Sequence, residues 1–202
     1  FGASHPHVAH FGLGEDDHIE RILVTWPDGV VTEAADHRGG WGRVVRVSHN
    51  LRTADGSEQF ELRVRDLATG KDLPDKVPGT YYGSAWGNDN KTLFYVTIDK
   101  AHRPFRAHRH VLGTAAKSDA VVLEEKDERF HLWLNKTRSE RFVTLTLESA
   151  ITSEIRVIDA DAPGSAPQLI AARRDGVEYK ATHHGKHWYI VTNDSAVNFK
   201  LV

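Results

Sequence analysis

The chain has 202 residues, of which 40% are hydrophobic and 27% are charged, and its formal net charge is −2. This length allows one large or two small domains, and the near-neutral charge gives no sign of a nucleic-acid partner. The longest apolar runs have about five residues, too few for a membrane span, and the lack of cysteine excludes disulfides and thiolate metal sites.

The first predicted elements are the two strands of a small hairpin. Apolar residues alternate with polar ones around Ile22 and Val24. Pro27-Asp28-Gly29 is a turn signal, because proline presets φ and glycine accepts a positive φ. Residues 30–33 are then predicted to return as the second strand, and residues 43–47 alternate as a further strand.

This early segment also carries a family resemblance. H-F-G-L-G at 10–14, an acidic stretch and V-T-W-P-D-G-V-V-T-E at 24–33 together resemble the ASPIC-type module. That module occurs beside FG-GAP-type repeat propellers in secreted or surface proteins. We assign residues 1–49 to this segment and place a junction at 50–57, where N-L-R-T-A-D-G-S is polar and turn-rich.

A repeated stretch is the strongest sign of fold in the rest of the chain. N-K-T-L-F-Y-V-T-I-D at 90–99 is echoed by G-K-H-W-Y-I-V-T-N-D at 185–194, and S-E-R-F-V-T-L-T-L-E-S at 139–149 has the same build. The copies are roughly 46–49 residues apart, a period typical of the four-stranded blades of β-propellers.

The strands from residue 58 onward can be laid out as consecutive antiparallel blades. The first predicted strand is 60–66, and a turn at 68–71 follows it. The later predicted strands are 84–86, 93–98, 105–111 and 120–124, then 131–136, 142–148, 154–159 and 168–171, and finally 178–182, 188–192 and 198–202. We predict an all-β chain, in which a small β-hairpin segment precedes a partial β-propeller of about two whole and two partial blades over 58–202.

Several strings in this region resemble one family closely. R-P-F-R-A-H-R-H-V-L-G-T at 103–114, S-A-I-T-S-E-I-R-V-I-D-A-D at 149–161 and T-N-D-S-A-V-N-F-K-L at 192–201 resemble the propeller of oligopeptidase B, of the prolyl oligopeptidase group of serine peptidases. The resemblance runs from about residue 51 to the end.

This resemblance implies a seven-bladed propeller that sits on an α/β-hydrolase domain. The propeller admits only short peptides, and a Ser–Asp–His triad cuts them after Arg or Lys. We therefore expect a non-catalytic propeller fragment that gates short Arg- or Lys-containing peptides to a hydrolase domain outside this chain. The implied partners are that domain and basic peptides, with no nucleic acid and no membrane. The absence of methionine and the start at Phe1 favour a piece of a longer polypeptide, cut at both ends.

The catalytic groups of such a peptidase are not found in this sequence. A hydrolase nucleophile sits on a G-x-S-x-G turn, and the nearest string, Gly83-Ser84-Ala85-Trp86-Gly87, has its serine one place early. We assign no catalytic, cofactor-binding or metal-binding residue and expect no activity from the chain alone. In the family the loop before S-A-W faces the hydrolase domain and can contribute an acidic contact, but here 79–83 reads G-T-Y-Y-G without a carboxylate.

Thirteen histidines raise the question of a metal site. The candidates are His108 and His110 on one strand face, His183, His184 and His187 around a hairpin turn, and His5, His7, His10 and His18 near the start. Zinc needs three or four converging ligands, and no zinc motif is present, so we expect satisfied or solvent-facing histidines instead.

Three polar segments have plainer interpretations. Asn88-Asp89-Asn90 and Asp159-Ala160-Asp161 faintly resemble calcium loops but fit turn chemistry better. The charge run at 124–129 is expected to be a solvated connection, with an inter-domain salt bridge as the alternative.

Two other functions stay open at this stage. An ASPIC-like start joined to a propeller would suit an extracellular binding module, and the abrupt change near residue 50 would suit an artificial join of two gene fragments. The peptidase resemblance implies the cytoplasm, with the periplasm or secretion as alternatives. An incomplete ring of blades leaves strand edges and apolar faces open, so self-association is also expected.

Overall fold

A computed structural model describes residues 58–66 and 69–202 together with the backbone of three earlier strands, β1 (Arg21–Thr25), β2 (Val31–Ala35) and β3 (Val45–His49). The chain divides into two compact units, Phe1–Gly42 and Arg43–Val202. In the first unit β1 and β2 pair antiparallel, with Thr25 opposite Val31. The hairpin predicted from the sequence is therefore present, and its predicted turn at 27–29 lies outside the described residues.

The second unit opens with a six-stranded antiparallel sheet whose strands are neighbours in chain order. It consists of β3, β4 (Phe60–Asp66), β5 (Lys71–Trp86), β6 (Thr92–Ile98), β7 (Pro104–Val111) and β8 (Ala120–Glu124). The sequence assigned β3 to the first segment, but Val45 lies opposite Asp66 and His49 opposite Leu62. The predicted junction at 50–57 lies outside the described residues, and the domain limits stay a prediction.

The long strand β5 belongs to two successive blades. Its first part pairs with β4, from Lys71 opposite Asp66 to Thr80 opposite Phe60. Its last part pairs with β6, where Ser84–Trp86 lie opposite 93–95. The sequence predicted only a short inner strand at 84–86. The strand extends back to Lys71 because its earlier part has a partner of its own in β4.

The remaining strands form two further antiparallel sheets. A four-stranded blade contains β9 (His131–Lys136), β10 (Phe142–Glu148), β11 (Ser153–Asp159) and β12 (Gln168–Ala171), and a three-stranded sheet contains β13 (Tyr179–His184), β14 (His187–Thr192) and β15 (Lys200–Leu201). The only helical segment in residues 58–66 and 69–202 is a single 3₁₀ turn, Ala116–Ser118. The predicted all-β partial propeller is confirmed.

Among the described residues, no helix is long and apolar enough to cross a membrane.

Strand β6 shows how the blades are held together, because it is buried on both faces. Leu93 and Tyr95 pack with Leu62 of the preceding blade. Phe94 and Val96 pack into a second cluster with Leu132, Leu134, Val143, Leu145, Leu147 and Ile158 of the following blade. Each fully buried side chain of this kind contributes about 1.5–3 kcal/mol. A sheet that is covered on both faces is what stacking of blades requires.

A third cluster joins the last two sheets, and the far side of the final sheet is open. Ile155 and Val157 of β11 pack against Tyr179 of β13. On the opposite side Tyr189 is 44% exposed and Val191 is 43% exposed. Self-association through this open face stays a prediction.

Candidate functional site

The chain passes from the first blade to the second through a bend at Gly79–Gly83. Both glycines have positive φ, +70° at Gly79 and +91° at Gly83. A Cβ atom at Gly83 would lie 2.8 Å from the carbonyl oxygen of Leu134, in the inner strand of the next blade. Ser84 follows inside strand β5 and pairs with Tyr95. A hydrolase nucleophile lies on a strand-to-helix turn. Ser84 lies inside a strand and therefore does not have the position of a nucleophile.

The bend carries two tyrosines and recruits a carboxylate from elsewhere in the chain. The hydroxyl of Tyr81 donates to Oε2 of Glu58 over 3.1 Å, and Tyr82 packs edge-on against Phe60 with ring centroids 5.1 Å apart. Burial raises the pKa of Tyr81, and the hydrogen bond to Glu58 raises it further. The sequence of residues 79–83 contains no carboxylate. The carboxylate that lies beside this loop belongs to Glu58, more than twenty residues earlier in the chain.

His110 is fully buried between two aspartates, Asp75 in the first part of β5 and Asp119 just before β8. Its Nε2 lies 3.1 Å from Oδ1 of Asp75 and its Nδ1 lies 2.8 Å from Oδ1 of Asp119. A carboxylate only accepts hydrogen bonds, so both contacts are satisfied when both ring nitrogens carry a proton. Asp75 also accepts from the amide of Gly113 at 2.6 Å, and Asp119 accepts from the hydroxyl of Tyr95 at 2.9 Å. The network fixes the 112–119 segment onto the blade.

The neighbouring His108 is also engaged internally. Its ring stacks on Tyr95 with centroids 4.9 Å apart, and its Nε2 lies 3.1 Å from Oγ1 of Thr97. Burial and the nearby Arg106 lower the pKa of His108, which favours the neutral ring. His108 and His110 thus have protein partners that account for them without a metal.

The histidines around the β13–β14 turn do not converge. His183 contacts Phe142 and Trp188, and its Nδ1 lies 2.8 Å from Oγ of Ser139. His184 and His187 are exposed and face each other across the turn. Within residues 58–66 and 69–202, no group of three or more His, Asp or Glu residues is arranged to hold a metal. His5, His7, His10 and His18 lie outside the described residues.

The two segments that faintly resemble calcium loops meet at one edge of the blades. Nδ2 of Asn88 donates to Oδ1 of Asp161 over 2.6 Å, and Nζ of Lys136 donates to Oδ1 of Asn88 over 2.7 Å. Arg141 pairs with Asp159 at 2.9 Å and with Asp161 at 3.1 Å. These carboxylates are therefore neutralised by protein cations, and the segments tie one blade to the next through turn chemistry.

At the opposite edge, the charge run at 124–129 is a fixed connection between blades. The guanidinium of Arg103 pairs with Asp99 at 2.9 Å and donates to three carbonyl oxygens, those of Glu125 at 3.3 Å, Asp127 at 3.2 Å and Phe130 at 2.9 Å. Glu125 is only 7% exposed. The expectation of a solvated connection is therefore wrong for Glu125, which is buried. The carbonyl oxygens of the connection do not depend on water, because Arg103 donates hydrogen bonds to three of them.

Arg173 extends this edge contact to the third blade. Its Nη2 lies 2.5 Å from Oε2 of Glu125, and its Nε lies 3.0 Å from Oε2 of Glu154. The guanidinium also lies over the ring of Phe130, 4.0 Å from the centroid. Burial alone would raise the pKa of Glu154, but hydrogen bonds from Arg156 and Arg173 outweigh it and hold the pKa below its usual value.

The change Arg173→Ala is expected to lower the free energy of unfolding by about 2 kcal/mol at neutral pH, because it leaves the buried carboxylate of Glu125 without its guanidinium and that of Glu154 with Arg156 alone. The pKa of Glu154 is lowered by folding, so the contact stabilises the fold above the carboxyl's unfolded pKa and is lost as pH falls through the folded value. The difference from wild type should therefore shrink between about pH 7 and about pH 3 in urea titrations.

Arg174→Ala is the matched control, since Arg174 pairs with Asp194 but is 60% exposed. A surface pair of this kind contributes about 0–1 kcal/mol. Equal losses for the two variants, or a difference that does not change with pH, would show that Arg173 does not clamp the blades.

A cleft of about 410 Å³ opens between the β10–β11 hairpin and strands β13 and β14. Glu148 and Glu178 stand at its walls, and Tyr179, Val191 and Phe199 form its apolar side. A second cleft of about 310 Å³ adjoins it, contains Trp133 and Asn135, and shares Glu148 and Lys180 with the first.

The carboxylates of this cleft differ from their neighbours in having no partner. In the part of the chain that the structure describes, neither the Glu148 nor the Glu178 side chain makes a hydrogen bond or ion pair, and the same holds for Lys180. Both glutamates are half-buried. Sequence analysis missed them, because a lone Glu at the end of a strand carries no motif.

Comparison with known proteins agrees with this architecture. Residues 52–202 match the family described as "Prolyl oligopeptidase, N-terminal beta-propeller domain", and residues 1–48 match the family "ASPIC and UnbV". Protease 2 of Moraxella lacunata is 40% identical over 154 residues, which cover 75% of this chain and 22% of that protein. Dipeptidyl aminopeptidase BI of Pseudoxanthomonas mexicana is 41% identical over 150 residues, which cover 73% of this chain and 21% of that protein.

Solved structures show the same fold. Oligopeptidase B from Leishmania major superposes with a TM-score of 0.67 at 29% identity, over 72% of this chain and 21% of that one. Oligopeptidase B from Trypanosoma brucei, in a closed form with covalently bound antipain, has a TM-score of 0.64 at 23% identity, over 98% of this chain and 28% of that one.

The chain thus spans about a fifth of the length of the curated relatives it matches. The resemblance that the sequence strings carried to both families is confirmed. With three-quarters of its length covered by the match and its sheets stacked as blades, the chain belongs to the prolyl oligopeptidase N-terminal β-propeller family, with a propeller similar to that of oligopeptidase B.

Proposed function

We propose that this chain is the non-catalytic propeller part of an oligopeptidase-B-like serine peptidase. Its blades would enclose the active site of a hydrolase domain and admit only short peptides that contain Arg or Lys. The observation that carries the proposal is the two-sided burial of strand β6, because sheets covered on both faces stack into a continuous wall.

Two further features support a wall that holds its shape. The blades are joined at one edge by Arg173, Glu125 and Glu154 and at the other by Asn88 and Asp161. Side-chain contacts at both edges resist the opening of a gap between blades. A barrier of this kind would exclude folded proteins and leave the chemistry to residues of the hydrolase domain.

The experiment is a chimera with Protease 2 of Moraxella lacunata, in which residues 52–202 replace the matching segment of that protein. The chimera should hydrolyse a short fluorogenic dibasic reporter and leave a long, unfolded basic polypeptide largely intact. A chimera whose catalytic serine is changed to alanine is the control. Equal cleavage of the long and short substrates, or a folded chimera without activity on the reporter, would contradict the proposal.

The relative named as a dipeptidyl aminopeptidase suggests a second substrate for the same assay. A reporter with a free amino-terminal dipeptide and no basic residue should be cleaved poorly. Preference for this reporter over the dibasic one would overturn the assignment of Arg- and Lys-containing peptides.

A second candidate function is an extracellular binding module, favoured by the match of residues 1–48 to the ASPIC and UnbV family. The first proposal places the parent protein in the cytoplasm and the second requires export. Fractionation of cells that produce the parent protein separates the two.

A further inference from the structure

We propose that His110, Asp75 and Asp119 form a proton-dependent latch between the first two blades. In the folded chain this cluster holds one proton that the unfolded chain does not hold above about pH 6.5. The latch is independent of the proposed function, because it concerns only how two neighbouring blades stay together. It follows from the hydrogen-bond geometry of the cluster and from the charge that is buried there.

The hydrogen-bond contacts of the cluster require a definite number of hydrogens. Nε2 of His110 lies 3.1 Å from a carboxylate oxygen of Asp75, and Nδ1 lies 2.8 Å from a carboxylate oxygen of Asp119. Each contact needs one hydrogen, because an ionised carboxylate has none to donate. A neutral imidazole carries a single N–H and would leave one contact without a hydrogen. The cluster therefore needs a second proton, and the imidazole takes it because it is more basic than a carboxylate.

The charge buried in the cluster leads to the same conclusion. The side chains of His110, Asp75 and Asp119 are 0%, 3% and 2% exposed. Within residues 58–66 and 69–202, no lysine or arginine pairs with either aspartate. A neutral ring would leave two buried anions without a cation, which is a costly arrangement. With the second proton the cluster keeps one negative charge, which is stabilised by the amide of Gly113 and the hydroxyl of Tyr95.

The cluster lies where the first two blades meet. Asp75 belongs to the part of β5 that pairs with β4 in the first blade, and His110 belongs to β7 of the second. In the connection after β7, Leu112 and Ala116 pack against the buried cluster around Leu62 of β4. Loss of the second proton would set a nitrogen lone pair against a carboxylate. A rise in pH is therefore expected to loosen the seam between the blades.

The surroundings of His110 contain other groups that can titrate. His110 lies opposite Leu93, on the face of the sheet that the first blade covers. In the described part of the chain, the charged or titratable side chains on this side are Asp66 of β4, Asp75 of β5, Tyr95 of β6, His108 of β7, and Lys117 and Asp119 of the connection to β8. Of these residue types, only histidine ordinarily titrates near neutral pH.

Two of these neighbours have shifted pKa values that keep them from contributing near neutral pH. Burial raises the pKa of Tyr95, and its hydrogen bond to Asp119 raises it further, so the phenol stays protonated. Burial lowers the pKa of His108, and the nearby Arg106 lowers it further. His108 is therefore neutral in both the folded and the unfolded chain above about pH 7. In this range the cluster around His110 is left as the group that takes up a proton on folding.

The pH dependence of the latch has a definite sign. Below about pH 6.5 the folded and the unfolded chain both hold the proton, and the latch contributes its full stability. Above about pH 6.5 the unfolded histidine is neutral, so unfolding releases the proton. The equilibrium constant of unfolding should then rise about tenfold per pH unit until the folded cluster also loses its proton.

The test is proton release when the 202-residue chain is unfolded by urea in weakly buffered solution with a pH indicator. Asp119→Asn is the decisive variant, because its amide can donate to Nδ1 of a neutral ring while its carbonyl accepts from Tyr95. All contacts are then satisfied without the second proton. At about pH 7.5 wild type should release about one proton more per chain than this variant.

Asp72→Asn is the matched control, since Asp72 also lies in β5 but is 40% exposed and pairs with Arg65. Its proton release should equal that of wild type, because an exposed aspartate is ionised in both states at this pH.

Nitrogen-15 NMR of the chain labelled at histidine detects the proton without unfolding. At about pH 7.5 one ring of folded wild type should carry hydrogen on both nitrogens, and this signal should be absent from Asp119→Asn. Equal proton release from wild type and Asp119→Asn would overturn the latch. A wild-type chain without a doubly protonated ring at this pH would overturn it as well.

Discussion

The change His110→Ala is expected to lower the free energy of unfolding by about 3–5 kcal/mol, because it leaves two buried aspartates without their shared partner. The side chains of Asp75 and Asp119 are 3% and 2% exposed, so water cannot replace the imidazole without opening the blade. After the change, Asp75 keeps only the amide of Gly113 and Asp119 only the hydroxyl of Tyr95. A domain of this size has a total stability of about 5–15 kcal/mol, so the loss is a large share of that total.

Urea titration followed by circular dichroism measures this effect. His184→Ala is the control, because His184 is exposed at the β13–β14 turn and its loss should change stability by less than about 0.5 kcal/mol. A loss below about 1 kcal/mol for His110→Ala would show that the two carboxylates do not depend on the histidine.

The change Gly83→Ala is expected to cost about 4 kcal/mol, from two separate sources. A residue other than glycine at φ +91° is strained by about 1–3 kcal/mol, and overpacking adds about 1–3 kcal/mol. The new Cβ would lie 2.8 Å from the carbonyl oxygen of Leu134. That strand cannot retreat easily, because Leu132 and Leu134 are buried against the preceding blade.

Gly79→Ala separates the cost of backbone strain from the cost of overpacking when both variants are unfolded by heat and by urea. Gly79 also has a positive φ, +70°, but a Cβ there would meet nothing within 4 Å. Its cost should be only the conformational part, about 1–2 kcal/mol. If both variants lose the same stability, the close approach of the two inner strands at Gly83 is not present in solution.

The strands of the third blade could be predicted from the sequence almost residue by residue. Val143, Leu145 and Leu147 alternate with threonines, and the structure buries these three and leaves the threonines half-covered. A period of two specifies which face of a strand is covered. The repeat spacing then specifies how many such sheets follow one another.

Strand β5 shows where local pattern fails. Pro74, Pro78 and Gly79 fall within it, and prolines in a run argue against a central strand. The strand tolerates them because its pairing with β4 contains register shifts, where ladder hydrogen bonds are interrupted. Its second partner, β6, lies beyond the bend, and no local signal specifies a strand that is shared by two blades.

The polar contacts depend on distances along the chain that no motif covers. His110 meets an aspartate 35 residues earlier, and Glu125 meets an arginine 48 residues later. The sequence gave no partner for His110. Such pairings arise only when blades stack, because stacking brings the connections of successive sheets together.

The relation of the first segment to the propeller is a separate question. The two family matches adjoin, one ending at residue 48 and the other beginning at residue 52, which is the pattern expected of two joined fragments. The antiparallel pairing of β3 with β4 runs across that border. Two unrelated fragments would not be expected to continue one sheet, so this pairing argues against a simple join at residue 50.

The central claim is that these blades enclose a reaction carried out by residues outside the 202-residue chain. The most direct measurement compares hydrolysis of the fluorogenic dibasic reporter by the isolated chain and by the Protease 2 chimera, each with and without a serine-directed phosphonate. We predict no turnover and no phosphonate labelling for the isolated chain, and phosphonate-sensitive turnover for the chimera. Turnover by the isolated chain that the phosphonate abolishes would contradict the account.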